Sequence, residues 1–138
     1  MKKLENKQEI FELINEISYD LDQKNIVKAL ETFTEDARLS LVENGSTILD
    51  LSGKKQILSH LQKKLEDVDV LFHNNGTSVI QVLSLDQKAI AHTSSIVKMI
   101  AKGVETDECL YFNDKLIKVN GYWYVVERTI EIAVKSVH

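Results

Sequence analysis

Proline is absent from the 138 residues, cysteine occurs once, and only five glycines punctuate the chain. With no Pro- or Gly-rich stretch and no low-complexity segment or repeat, there is no linker at which a domain boundary could sit, so residues 1–138 read as one domain. The single Cys109 excludes an intrachain disulfide and paired-cysteine metal knuckles. Lying in an apolar-rich strand pattern without flanking cations, it reads as a small buried hydrophobe rather than a reactive thiol. Seventeen Lys and Arg face twenty-one Asp and Glu, for a net charge of -4. The lysines are scattered among the acids, so no basic stripe exists to neutralise a phosphate backbone, and nucleic acid is not an expected partner.

No run approaches the roughly 20 apolar residues of a membrane span. The opening segment MKKLENKQEIFELINEI interleaves Glu5, Glu9, Glu12 and Glu16 with its apolar residues, which a secretory segment does not tolerate. The expectation is a cytoplasmic protein without a membrane partner. The four histidines, His60, His73, His92 and His138, form no metal-binding spacing. No nucleophile elbow and no phosphate-cradling glycine loop is present, so the sequence implies neither metal nor cofactor.

What is present divides into a helical first half and an extended second half, the segregation of an α+β fold. Between Gln8 and Gln23, Ile10, Ile14, Ile17 and Leu21 draw one apolar stripe at helical period. Asn25 is a candidate cap for a second helix with Ile26, Leu30 and Phe33 inward, and Ser52 for a third carrying Ile57, Leu58, Leu61 and Leu65. Between these helices, Ala37, Leu39 and Leu41 alternate with polar residues ahead of Asn44-Gly45, a hairpin signal. Four long extended segments follow: Val68–Ser84, Lys88–Lys102, Asp107–Val119 and Tyr122–Val134, the last two joined at Asn120-Gly121. Antiparallel strands this long must twist, bend or bulge. A bent sheet has a concave side, which the N-terminal helices are expected to fill as a cone-like, cystatin-like roll enclosing a cavity.

Three stretches carry a family likeness: LDQKNIVKALETFTEDA from Leu21 to Ala37, Phe72-His73-Asn74-Asn75 at the head of a long strand, and Asn120-Gly121-Tyr122-Trp123-Tyr124-Val125 at the final hairpin. In this order, from about Ile10 to Ile132, they resemble the nuclear transport factor 2-like superfamily and, within it, the SnoaL-like group. That superfamily spans dehydratases, isomerases, cyclases and members that only bind, so the likeness implies a fold more firmly than an activity. In scytalone dehydratase an aspartate ending the first helix and two histidines on the sheet serve the pocket. By pattern, Asp22 matches that aspartate and His73 one histidine. The strand position that would hold the second is Met99, so the dehydratase set is incomplete here. His92 lies on the opposite face from Met99 by period-two alternation.

Elimination or isomerisation beside a carbonyl needs a base for a carbon-bound proton and a group that stabilises the oxygen gaining charge. Asp22 falls at the edge of the first helix's apolar stripe, on the flank of Phe11 and Ser18, and either looks into the cavity or joins Asp20 in a solvated patch. His73 either acts as base or acid, its ordinary pKa of about 6.5 suiting it to neutral pH, or bonds the backbone at a strand end. Trp123 is a core anchor or a ligand platform. On the Trp123 face without a bulge, Glu127 is either a second acid in the pocket or the partner of a cross-strand lysine on a solvated face. Tyr19 is expected to be exposed. Thr93, Ser94 and Ser95 either line a polar cavity or mark a solvated face.

The expected catalytic residues are Asp22 and His73, and the expected pocket residues are Phe11, Met99, Trp123 and Glu127. The ligand is expected to be a small apolar or amphipathic molecule. Three functions remain open: a cofactor-independent lyase or isomerase acting on an apolar oxygenated substrate, a non-catalytic binder, and an interaction module. A homodimer through the outer sheet face is expected because that face would carry Ile90, Ile96, Ile100, Val126, Ile130 and Ile132.

Overall fold

The computed structural model describes residues 2–138. The apolar stripe seen from Gln8 onward lies on a longer helix, α1 (Lys2–Asp22), which buries Ile10, Ile14 and Ile17. The chain turns at Lys24, whose φ of 59° is left-handed. It then makes only one helical turn, α2 (Ile26–Ala29), for which the Asn25 side chain supplies no capping bond. Phe33 therefore does not belong to a second helix face: it opens β1 (Phe33–Glu43), which pairs through the Asn44-Gly45 turn with β2 (Ser46–Ser52).

The third helix, α3 (Lys54–Leu65), starts one residue later than Ser52 suggests. Gly53 occupies the cap position with φ 93°, a conformation open to glycine and strained for Ser. The Ser52 amide instead donates to Gln56 Oε1 at 2.6 Å, so the helix reaches back to close its own start.

The four long strands are β3 (Val68–Leu83), β4 (Lys88–Ala101), β5 (Val104–Val119) and β6 (Tyr122–Val137). β5 begins earlier than Asp107 because Lys102-Gly103, with φ values of 51° and 78°, makes a two-residue turn that the composition around it had hidden. The strands form one sheet in the order β2-β1-β6-β5-β4-β3, antiparallel except where β1 lies parallel to β6.

Two irregularities shape its inner face. On β3 the pairing slips between Asn75 and Ser78, so that Leu71, His73 and Asn75 before the slip and Ser78, Ile80 and Val82 after it all point inward. On β6 the pairing slips around Val126, since Leu116 pairs with Val125 while Lys115 pairs with Glu127. One extra residue inverts the side-chain alternation, so Trp123 and Val125 point inward before the bulge and Arg128, Ile130 and Ile132 after it.

The larger core lies where Ile10, Ile14 and Ile17 of α1 meet Leu116, Val125 and the small Ala89 and Ala91, which let the helix approach the sheet closely. Fully burying each isoleucine stabilises the fold by about 1.5–3 kcal/mol. Trp123 anchors the N-terminal half of α1: its indole Nε1 donates to Asn6 Oδ1 at 3.1 Å, and Lys118 Nζ donates to the same oxygen at 2.8 Å. Asn6→Ala leaves the buried indole N–H unpaired and is expected to cost about 1–3 kcal/mol in urea unfolding.

Candidate active site

A cavity of about 100 Å³ opens between the C-terminal half of α1, α3 and the inner faces of β3 to β6. Its walls are mainly leucine, isoleucine and phenylalanine, and the polar exceptions are His73, Arg128, Glu108 and Lys64. The surroundings are therefore of low polarity, and His73 and Arg128, whose side chains are buried there, act with less screening than in water.

Asp22 is the last residue of α1, and His73 points inward from β3, the edge strand. Asp22 Oδ1 lies 2.5 Å from His73 Nδ1, and Asp22 Oδ2 accepts the His73 backbone N–H at 3.1 Å. One carboxylate thus holds both the ring and the otherwise unpaired edge amide of the same residue. An ionised carboxylate has only acceptors, so in the neutral imidazole this contact puts the proton on Nδ1 and the lone pair on Nε2. Both side chains are largely buried, 15% and 8% exposed respectively. Lys24, just past the helix end, donates from Nζ to the Val68 carbonyl and so ties the turn after Asp22 to the start of the strand bearing His73.

On the other side of the cavity Arg128 donates from Nε and Nη2 to Asp114 Oδ1 and Oδ2 at 2.8 and 3.1 Å. Asp114 is fully buried, and the guanidinium carbon stacks 4.2 Å from the centre of the Phe112 ring. His73 leans on the same ring, centroid to centroid at 5.9 Å. Imidazole and guanidinium are therefore no more than about 10 Å apart across Phe112. Asp114 occupies two of the five guanidinium donors.

Asp22 and His73, 51 residues apart in sequence, are brought together, and Met99 lines the same cavity. The other three expected pocket residues lie elsewhere. Phe11 is 40% exposed on the flank of α1, because Ile10 and Ile14 take the position facing the sheet. Trp123 is inward and buried, but at the opposite end of α1, where its partner is Asn6 rather than the cavity. Glu127 is turned outward by the bulge and pairs with Lys115 at 3.2 Å. Arg128 takes the inward place assigned to Glu127.

The same inversion moves Ile130 and Ile132 from the outer face to the inner one, where Ile130 lines the cavity. Cys109 is exposed on the outer face rather than buried, since Leu110 and Phe112 take the inward positions of β5. His92 points outward and meets Asn113 Oδ1 at 2.7 Å. Tyr19 is exposed. Thr93 and Ser95 are inward and buried, and Ser95 donates to Asn75, whose amide reaches Asn15 and Ser18 of α1.

Arg128 and Asp114 were missed by counting, although a signal existed. Counting outward from Asn120-Gly121 without a slip sets Asp114 directly opposite Glu127, two like charges on one face, which is unfavourable. Slipping by one residue exchanges that clash for the buried Asp114–Arg128 pair.

The chain is thus an α+β roll whose helices lie over a largely apolar cavity, with a carboxylate–imidazole pair at the end of the first helix. The SnoaL-like domain family matches residues 2–129, and the chain belongs to that family. Among solved structures, a provisionally assigned scytalone dehydratase from Novosphingobium aromaticivorans DSM 12444 superposes with a TM-score of 0.88 at 18% identity, covering 98% of this chain and 89% of that one. The hexachlorocyclohexane dehydrochlorinase LinA-type3 from Novosphingobium barchaimii LL02 gives 0.85 at 11% identity, over 99% and 92% of the two chains. A cystatin-like-fold protein of unknown function from Nostoc punctiforme PCC 73102 gives 0.68 at 22% identity, over 92% and 90%. At these identities the likeness shows the fold. No curated protein matches the sequence. No described helix is long and apolar enough to cross a membrane.

Proposed function

We propose that this protein is a cofactor-independent lyase that removes a carbon-bound proton from a small, mostly apolar, oxygenated molecule. The observation that carries this reading is the 2.5 Å Asp22–His73 contact at the wall of a largely apolar cavity. Two of the fold relatives bear the names of enzymes that eliminate water or hydrogen chloride.

In the proposed reaction, His73 Nε2 takes the proton from a carbon beside a carbonyl. The electron pair left behind moves onto the carbonyl oxygen as an enolate, and Asp22 stabilises the imidazolium. Arg128 donates to the enolate oxygen. As the enolate collapses, a carbon–carbon double bond forms, the bond to the neighbouring hydroxyl breaks, and the imidazolium returns its proton to the departing oxygen as water. Substrate becomes alkene plus water, and His73 is neutral again. With a halide in place of the hydroxyl, the leaving group departs as an anion and the proton is released separately.

The test is a screen of small β-hydroxy carbonyl compounds and alkyl halides against wild type and His73→Ala, read by thermal shift and by product formation in D₂O. Turnover by wild type alone is the expected result. Ligands that stabilise the protein without being consumed would establish a binder instead, and wild type indistinguishable from His73→Ala throughout would end the lyase reading.

The proposal includes a homodimer through the outer sheet face, on which Phe72, Ile96, Tyr111 and Val134 remain exposed. Sedimentation is expected to give twice the chain mass. A monomer at all concentrations contradicts it.

A further inference from the structure

Two charged side chains of the cavity take no part in that chemistry, Glu108 and Lys64. Glu108 is inward-facing on β5. Through the pairings His73 with Val97 and Val97 with Glu108, the three residues form one row across β3, β4 and β5, and all three line the cavity. Two strand spacings set the backbones of His73 and Glu108 about 10 Å apart. Glu108 is also the diagonal cross-strand neighbour of Met99. Among the described residues no ion pair or side-chain hydrogen bond engages Glu108.

The charges nearby do not cancel it. Arg128 is compensated by the fully buried Asp114, and Asp22 is engaged by His73. Lys64 sits in the last turn of α3 with an exposed side chain, so its ammonium is well screened. Its charge is nonetheless felt one turn back, where burial and then Lys64 hold the His60 imidazole below its ordinary range. Lys135, directly opposite Glu108 in the β5–β6 register, is exposed and makes no ion pair with it, so among the described residues Glu108 is the charge of the cavity wall without a contact partner.

We infer that Glu108 selects ligands carrying a hydrogen-bond donor, a hydroxyl or an amine, at the end remote from His73, and that it excludes carboxylates from that end. An ionised carboxylate offers only acceptors. A donor compensates its desolvation when the cavity fills, whereas an apolar group leaves it unpaired and an anion adds like-charge repulsion. This inference rests on the cavity being the ligand site proposed above, but not on the elimination chemistry.

Its test reads binding rather than turnover. NMR titrations at pH 7 with three probes of one skeleton, benzyl alcohol, benzylammonium and benzoate, are run on wild type, Glu108→Gln and His73→Ala. Wild type is expected to bind the alcohol and the ammonium about tenfold or more tighter than benzoate. In Glu108→Gln the ammonium loses about that factor and benzoate gains, while His73→Ala keeps the wild-type order. Failure of the lyase reading alone would leave this order intact. Benzoate binding as tightly as the alcohol in wild type, an unchanged order in Glu108→Gln, or no perturbation of cavity resonances by any probe would overturn the inference.

Discussion

Asp22→Asn is expected to lower turnover of any substrate found by the screen about 10³–10⁴-fold while the protein remains folded. The amide keeps the volume of the carboxylate, and its oxygen can still accept the His73 backbone N–H now bonded to Oδ2. Its nitrogen, however, is a donor, and set against Nδ1 it favours the tautomer with Nδ1 as acceptor and the proton on Nε2. The lone pair needed to take a proton is then facing the wrong way, and the charge that stabilises the imidazolium is gone. Replacing the orienting carboxylate in other imidazole dyads has an effect of this order. The check is steady-state turnover together with ¹⁵N shifts of the His73 ring, which report the tautomer directly. A ring still unprotonated at Nε2, with turnover unchanged, would remove Asp22 from the mechanism.

The second large effect is on stability. Asp114→Ala is expected to cost about 3–5 kcal/mol in urea unfolding, because it strands the Arg128 guanidinium in a site where that residue is 2% exposed. Arg128→Ala, which leaves the carboxylate alone, is expected to cost as much. The paired replacement Asp114→Leu with Arg128→Met removes both charges at similar volume and should lie near wild type in stability or above it. The two single losses should therefore not add. That double variant nevertheless lacks the donor for the enolate oxygen, so the proposed activity is lost where stability is not. Activity at the wild-type level in a stable double variant would show that the pair is purely structural.

The two residues of the proposed dyad were legible for different reasons. His73 follows an apolar pair within a long strand, and Asp22 ends a helix whose stripe runs through Ile10, Ile14 and Ile17, so each could be placed on an element from local pattern alone. Their meeting could not be read from pattern. It depends on the left-handed turn at Lys24 and on the α1–β3 docking that Lys24 and Asn75 secure with Val68, Asn15 and Ser18. Met99 came out on the cavity wall because β4 alternates without interruption from Ala89. Glu127 came out wrong because β6 does not: a single residue at Val126 separates two registers, and counting by twos carries the first into the second. Phe11 shows a different failure. It lies on the flank of the stripe, and which flank faces the sheet is decided by what the helix packs against.

By itself, then, the sequence determined the helix-then-strand order, the Asn44-Gly45 and Asn120-Gly121 turns and the core stripe of α1. These follow from local conformational preference and hydrophobic period, which act within a few residues. Only the tertiary structure decided the Asp22–His73 contact, the inward Arg128 with its buried Asp114, and the place of Glu108 in the same row of the sheet as His73. Those depend on how distant strands are registered. Register is settled by the balance of packing and charge pairing across the whole sheet, in which one bulge at Val126 exchanges a glutamate for an arginine at the wall of the cavity.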